Sequence, residues 1–214
     1  MIYLVRHGLT EWNEKNIFRG QKDIPLSSEG RLQAELAGRY LKNKNIQKIH
    51  TSPLKRAYET SLIISEQAGC EVLVIDGLTD IHFGDWEGKS VDWVKENFPK
   101  KYSLYKCHPE KVIFPNGESL ETCRKRAFNA FFTIVSGWEK NTSSSGAHFV
   151  VVSHRVIIKL LLLTALGLST ASFWRIRIDT CGINELDYVN NCFIINRINS
   201  TPHLANNKYL MPDF

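Results

Sequence analysis

Apolar positions along this chain follow two rhythms. Ile2-Tyr3-Leu4-Val5 and Phe149-Val150-Val151-Val152 are uninterrupted apolar runs set between polar and glycine signals. Runs of that length suit strands covered on both faces. Ile46–Thr51 and Val72–Ile75 read as two further strands. Between them the period lengthens. Leu32, Leu36, Ala37 and Tyr40 or Leu41 form one face of a helix over about Ser28–Leu41, with Ser27-Ser28-Glu29-Gly30 supplying its cap. Pro53 starts a second helix that runs to about Gly69, proline being favoured in a first turn. Glu118–Trp138 is a long amphipathic helix, and Val156–Leu168 an apolar one. Asn184–Tyr188 and Cys192–Asn199, joined by Val189-Asn190-Asn191, form a closing hairpin.

Strands that alternate with helices predict an α/β fold: three layers, with a central, mostly parallel sheet and helices on both faces. No internal repeat or linker divides residues 1–214, so one domain is expected. Two stretches break the rhythm. Asn13–Pro25 is a loop, and about 76–116 is a long irregular, lid-like region with a short helix near Val91–Asn97. Asn141–Gly146 is a polar loop and, with the last few residues, the one candidate for disorder.

Composition narrows the class. Hydrophobic residues at 43% and charged ones at 23% are those of an ordinary globular protein. The net charge of +5 is spread along the chain, with no basic stripe interleaved with aromatics, which argues against nucleic acid binding. The longest apolar stretch contains Lys159 and is too short to span a bilayer. The first strand begins at Ile2, leaving no room for a signal peptide. Five cysteines without C-x-x-C spacing indicate neither zinc nor a disulfide framework. A cytoplasmic protein with reduced thiols is expected.

Candidate chemistry sits where strands end. The first apolar run stops at Arg6-His7-Gly8, and the run from Phe149 stops at Ser153-His154. Ligands of open α/β sheets collect at the carboxyl ends of strands. Two imidazoles delivered to one such edge outweigh the bland reading of each as a strand cap. Thr51-Ser52-Pro53-Leu54-Lys55-Arg56 adds an arginine in a helix's first turn, where free N–H groups already favour anions. Its guanidinium fork suits phosphate oxygens.

These segments resemble the histidine phosphatase (phosphoglycerate mutase-like) superfamily. The likeness is carried by Arg6-His7-Gly8 with Thr10, Trp12 and Asn13, Asp23-Ile24-Pro25-Leu26-Ser27 with Gly30, and Ser52–Thr60. Gly84-Asp85-Trp86-Glu87-Gly88, Pro115-Asn116-Gly117-Glu118-Ser119 and Val151–His154 follow in the family's order. The resemblance covers roughly residues 2–190. It implies that His7 is a nucleophile forming a phosphohistidine that water hydrolyses. Arg6, Asn13, Arg56 and His154 would hold the phosphate, and the arginines would supply the positive charge without any metal or cofactor.

The general acid departs from the family's pattern. Where a glutamate usually stands, four residues before the glycine of Gly84–Gly88, this chain has Asp80. A bound phosphate dianion would raise its pKa and help it keep a proton, and Glu87 and His82 are the fallback donors. Gln21, Arg19, His82, Glu87 and Arg155 are candidate substrate contacts, Arg155 standing where the family commonly has glycine. The specificity surface is expected to include Phe83, Trp86 and the Val91–Phe114 region. Gly84-Asp85-Trp86-Glu87-Gly88-Lys89-Ser90 imitates a P-loop but has three residues between its glycines instead of four.

Between Gly88 and Gly117 there is neither an Arg-Arg pair nor the long insertion of the glycolytic mutases. The chain therefore resembles the short phosphatase branch, which includes α-ribazole phosphatase-like enzymes. A phosphatase acting on a small-molecule phosphate monoester is expected. Mutase-type phosphoryl transfer and a non-catalytic phosphate-binding module are the alternatives. The expected partner is a small phosphorylated metabolite, not nucleic acid or membrane, with a homodimer left open.

Overall fold

The computed structural model describes residues 1–141 and 146–204. The polar run 142–145 and the end of the chain lie outside the described residues. Six strands form one sheet in the order β3-β2-β4-β1-β5-β6. These are β1 (Ile2–Arg6), β2 (Ile46–Thr51), β3 (Glu71–Val74), β4 (His148–Ser153), β5 (Ile183–Val189) and β6 (Cys192–Ser200). The first four are mutually parallel, whereas β5 runs antiparallel to β1 and β6 antiparallel to β5. The closing hairpin turns on Asn190 and Asn191, at φ 51° and 61°. Asparagine tolerates this left-handed region, and two such residues in a row suit the tight turn that matches strand twist.

The side chains of β1 and β4 explain why the central strands read as unbroken apolar runs. Ile2, Leu4, Phe149 and Val151 enter the core on one face of the sheet. Tyr3, Val5, Val150 and Val152 enter the core on the other. Successive residues point to opposite faces, so a strand covered on both sides has no polar position to show. The second face is covered by α2 (Ser28–Leu41) and α3 (Lys55–Ala68), which pack on each other. The first is covered by α6 (Leu120–Asn141), α7 (Arg155–Ala165) and the segment after β3.

The elements differ from expectation mainly at their ends. Residues Glu11–Glu14 form one short turn, α1, which overlaps the first two residues of the expected loop Asn13–Pro25. Helix α3 begins two residues after Pro53, at Lys55. The apolar helix α7 stops at Ala165, and the chain then turns through Gly167 at φ 68°. The irregular region holds the expected α4 (Val91–Asn97) and a second helix, α5 (Pro99–Cys107). Periodicity conceals α5 because Pro99 opens it and its apolar residues are shared between the core and a cleft.

Trp86 is fully buried against Phe18, Tyr105 and Phe114, with ring centroids 5.0–5.9 Å away. It is a core residue, not part of a specificity surface. The glycine that opens its turn, Gly84, sits at φ 57° with the carbonyl of Pro115 where a side chain would begin. The imitation P-loop is thus a packing motif.

Candidate active site

Parallel pairing of β1 with β4 places Arg6 beside Ser153. One residue further on, His7 and His154 come side by side, ring centroids 5.2 Å apart. The twin strand endings of the sequence are therefore one structure. Both imidazoles are buried. The backbone N–H of His7 donates to the Ser153 carbonyl at 2.9 Å, which ties the two strand ends together.

The His7 ring is oriented by its own loop. Its Nδ1 lies 2.7 Å from the carbonyl of Gly8. A carbonyl can only accept, so Nδ1 carries the proton and Nε2 keeps the lone pair. Gly8 makes this possible by lying against Gly30, where a Cβ on either residue would strike the other loop's backbone. Thr60 accepts from the Gly8 N–H at 3.1 Å, and the buried Gln33 accepts from the Leu9 N–H at 3.0 Å.

Arg56, in the first turn of α3, is fully buried. It donates to the carbonyls of Gly20 and Lys22 at 2.7 and 2.8 Å and to Asp80 Oδ2 at 3.1 Å. Arg6 donates to the Ile178 carbonyl at 2.5 Å. His154 caps the N-terminus of α7, and its Nε2 meets Ser52 Oγ at 2.8 Å. Its Nδ1 points toward Asp80 Oδ2, 3.7 Å away. The Asn13 carbonyl accepts from the Thr10 amide and hydroxyl, so its NH2 is the group it can offer a ligand.

Several buried donors here have no partner: Nε and Nη1 of Arg19, Nε of Arg56, and Nδ1 of His154. Leaving such groups unsatisfied costs free energy. Their convergence marks a site built around an anion.

The charges set the protonation states. Burial, then the guanidinium groups of Arg56, Arg6 and Arg19, hold the pKa of His7 well below its ordinary 6.5. The same causes, burial and Arg56 foremost, lower that of His154. Asp80 is buried, and desolvation raises its pKa above 3.8 against the opposing pull of Arg56, Arg19 and Arg155. The site therefore pairs an imidazole that stays neutral with a carboxyl biased toward keeping its proton.

Arg19 acts on both groups in one direction, since its charge lowers each pKa. In Arg19→Gln both pKa values rise. The acid limb of the kcat/KM profile, set by protonation of His7, and the basic limb, set by ionisation of Asp80, should both move to higher pH. Loss of the donor itself should lower kcat/KM by roughly tenfold to a thousandfold. Limbs that stay in place would show that Arg19 does not face the reacting groups.

His7, Asp80, Arg19 and Arg155 share the wall of one cleft. The rest of the wall combines aromatic side chains of Phe18, Phe83, α5 and Trp174 with aliphatic ones such as Ile17, Val91 and Val156. The other candidate contacts lie outside this wall. Gln21 donates from Nε2 to the Asp80 carbonyl at 3.2 Å. Glu87 accepts from the N–H groups of Gln21 and Phe83 at 2.9 and 3.1 Å, bracing the loop near Asp80. His82 leaves 44% of its side chain exposed and lies 4.0 Å from Glu87.

Two supports gave no sequence signal. Arg126 of α6 donates to the carbonyls of Gly77, Thr79 and Asp80 at 3.0, 2.8 and 3.3 Å, and Glu118 holds it at 2.7 Å. Ser153 Oγ donates to the Leu78 carbonyl at 2.8 Å. Together they fix the loop that carries Asp80. Nothing in the local pattern distinguishes Arg126 from the other charges of α6; it is found only by folding the chain. Trp174, far from every motif, was likewise not foreseen.

Among the described residues no group of three or more His, Cys, Asp or Glu could hold a metal ion, and no helix is long and apolar enough to cross a membrane. The family model of the histidine phosphatase superfamily (branch 1) matches residues 2–201. The chain is 32% identical to phosphoserine phosphatase 1 of Hydrogenobacter thermophilus over 204 residues, 95% of this chain and 94% of the relative. It is also 32% identical to a probable phosphoglycerate mutase, GpmB, of Klebsiella pneumoniae over 188 residues, 87% of this chain and 84% of the relative. Its fold matches that of Bacillus stearothermophilus YhfR at a TM-score of 0.88, with 26% identity and coverage of 95% and 98%. With nearly the whole length matched and the paired strand-end histidines in one buried, arginine-lined site, this chain belongs to the histidine phosphatase superfamily, branch 1.

Proposed function

We propose that the protein is a phosphatase that hydrolyses a small-molecule phosphate monoester through a phosphohistidine on His7. The observation that carries this reading is the ring of unpartnered buried donors around a neutral imidazole. A phosphate dianion satisfies those donors and brings phosphorus to Nε2. Arg6, Asn13, Arg19, Arg56 and His154 bind the non-bridging oxygens. They stabilise the charge that spreads over those oxygens during transfer.

Nε2 attacks phosphorus, and the bond to the ester oxygen breaks. Asp80 gives its proton to that oxygen, so a neutral alcohol leaves. The carboxylate then accepts a proton from water as the water attacks the phosphohistidine. Inorganic phosphate leaves, with His7 and the acid form of Asp80 restored. Glu87 keeps its carboxylate on two backbone N–H groups, so it braces the loop instead of donating protons.

The whole chain acts as one domain, in which residues 76–116 wall the leaving-group side of the cleft without a pair of adjacent arginines. Hydrolysis needs only that water reach the phosphoenzyme, whereas a mutase must keep water out. Relatives carry both phosphatase and mutase names. Those names support phosphoryl transfer and leave the substrate to this chain's own cleft.

Mixing with p-nitrophenyl phosphate should release a burst of p-nitrophenol close to one equivalent, and an alkaline quench should recover an acid-labile phosphoprotein. Absence of both turnover and phosphoprotein would overturn the enzyme reading. Exchange of phosphate between two phosphoglycerates without release of inorganic phosphate would favour the mutase.

A further inference from the structure

Ser52 is fully buried one residue past the end of β2. The parallel pairing that sets Thr51 beside Val152 brings it to the same edge as His154. Its backbone N–H is held by the Val152 carbonyl at 3.1 Å. Its hydroxyl has two neighbours. The Leu54 N–H donates to Oγ at 3.3 Å, and Nε2 of His154 lies 2.8 Å away. An amide N–H can only donate, so Leu54 takes one lone pair of Oγ and leaves the hydroxyl proton free. The contact with Nε2 then decides where the imidazole carries its own proton.

Burial, then Arg56 and the other groups of the site, keep His154 neutral, so only one of its ring nitrogens is protonated. If that nitrogen were Nε2, it would donate to Ser52. Both lone pairs of Oγ would be filled, and the buried hydroxyl proton would have no acceptor among the described residues. A bare Nδ1 would face Asp80 Oδ2 at 3.7 Å, acceptor against acceptor, or would draw the acid proton of Asp80 to itself. A phosphate oxygen entering beside it would be repelled in the same way. With Nδ1 protonated, none of these conflicts arises. Oγ accepts from Leu54, the Ser52 hydroxyl donates to Nε2, and the otherwise unpartnered Nδ1 presents an N–H to the anion.

We propose that Ser52 is a positioning residue: its hydroxyl donates to Nε2 of His154 and so fixes the tautomer in which Nδ1–H donates to a non-bridging phosphate oxygen. Its kinetic consequence rests on the phosphatase reading above. The two histidines of the site then share a tautomer for opposite purposes. His7 spends its Nδ1 proton on the Gly8 carbonyl and keeps Nε2 bare for attack. His154 has its Nε2 lone pair filled by Ser52 and keeps Nδ1–H for binding. Asp80 meets no bare imidazole nitrogen on this side, so its proton stays for the leaving group.

Nitrogen-15 NMR of the labelled protein reads the tautomer directly, the His154 signals being assigned by their absence in His154→Ala. In wild type with inorganic phosphate bound at neutral pH, Nδ1 should be protonated and Nε2 bare. A protonated Nε2, alone or together with Nδ1, would overturn the role of Ser52 whatever any variant does.

Ser52→Ala removes the donor. The dissociation constant of inorganic phosphate should rise, and kcat/KM for p-nitrophenyl phosphate should fall, each by roughly fivefold to a hundredfold. That is the scale of a buried acceptor left without a donor. In a His154→Ala background the same substitution should change either quantity by less than about twofold, because its effect runs through the imidazole. A role confined to the Leu54 amide would cost the same in both backgrounds, and equal losses would sink the proposal. Should wild type fail to hydrolyse p-nitrophenyl phosphate, the phosphatase reading falls, while the tautomer and the phosphate affinities still judge Ser52.

Discussion

His7→Ala should lower kcat by roughly 10⁴ or more on every phosphate ester, the scale on which loss of an enzymic nucleophile registers. The effect is large because no second group can take over. His154 is the nearest imidazole, but its Nε2 is held by Ser52 at 2.8 Å and its Nδ1 faces Asp80. The variant should still fold, since the loop around residue 7 is held by backbone contacts to Ser153 and by Thr60 and Gln33. It should still bind inorganic phosphate, because every cation of the site remains.

The orientation of the ring makes the prediction sharper. Nδ1 donates to the Gly8 carbonyl, so phosphorus must bond to Nε2. Phosphorus NMR of the quenched phosphoenzyme should therefore show the Nε2 isomer alone. Phosphorylation at Nδ1, or normal turnover by His7→Ala, would remove His7 from the role assigned to it.

Much of the site was legible because strand ends are the easiest places to read. Apolar runs buried on both faces leave a clear boundary where Val5 gives way to Arg6 and Val152 to Ser153. Parallel pairing then converts two such boundaries into one place. Proximity of Arg56 was also foreseeable, since a strand-turn-helix unit sends its first helical turn to the same edge.

The legibility ended where contact depends on long loops. Region 76–116 has no single period, because its aromatic residues serve both core and cleft. Trp86 and Phe83 are close in sequence and alike in chemistry, yet only Phe83 reaches the cleft wall. The Arg126 clamp and Trp174 come from elements distant in sequence. No local pattern records which charged residue of α6 turns inward to three carbonyls.

Asp80→Asn should divide substrates by leaving group. For alkyl esters kcat/KM should fall by roughly 10² to 10⁴, the contribution of a positioned general acid. For p-nitrophenyl phosphate it should fall by less than about tenfold, because a phenolate with so low a pKa departs without a proton. The aspartate accepts from Arg56 at Oδ2 (3.1 Å) and from the Ile81 N–H at Oδ1 (3.0 Å), and the single oxygen of asparagine keeps one of these two bonds. The loop is also clamped by Arg126 through backbone carbonyls, independently of the side chain. The difference between substrates therefore measures proton donation and not collapse of the site.

The same substitution removes the base for the second step. Aryl phosphates should still phosphorylate His7, but water should then attack the phosphohistidine slowly. The expected record is a full burst followed by a depressed steady state, with phosphoenzyme accumulating. The pH profile supplies an independent check. Wild-type kcat/KM for an alkyl ester should decline as Asp80 ionises, at a pH above the ordinary carboxylate value because burial raises this group. That limb should be absent in Asp80→Asn. Neither fallback can mask the outcome, since Glu87 is committed to backbone N–H groups and His82 lies outside the cleft wall. Equal losses on alkyl and aryl esters, with the basic limb retained, would place the acid elsewhere.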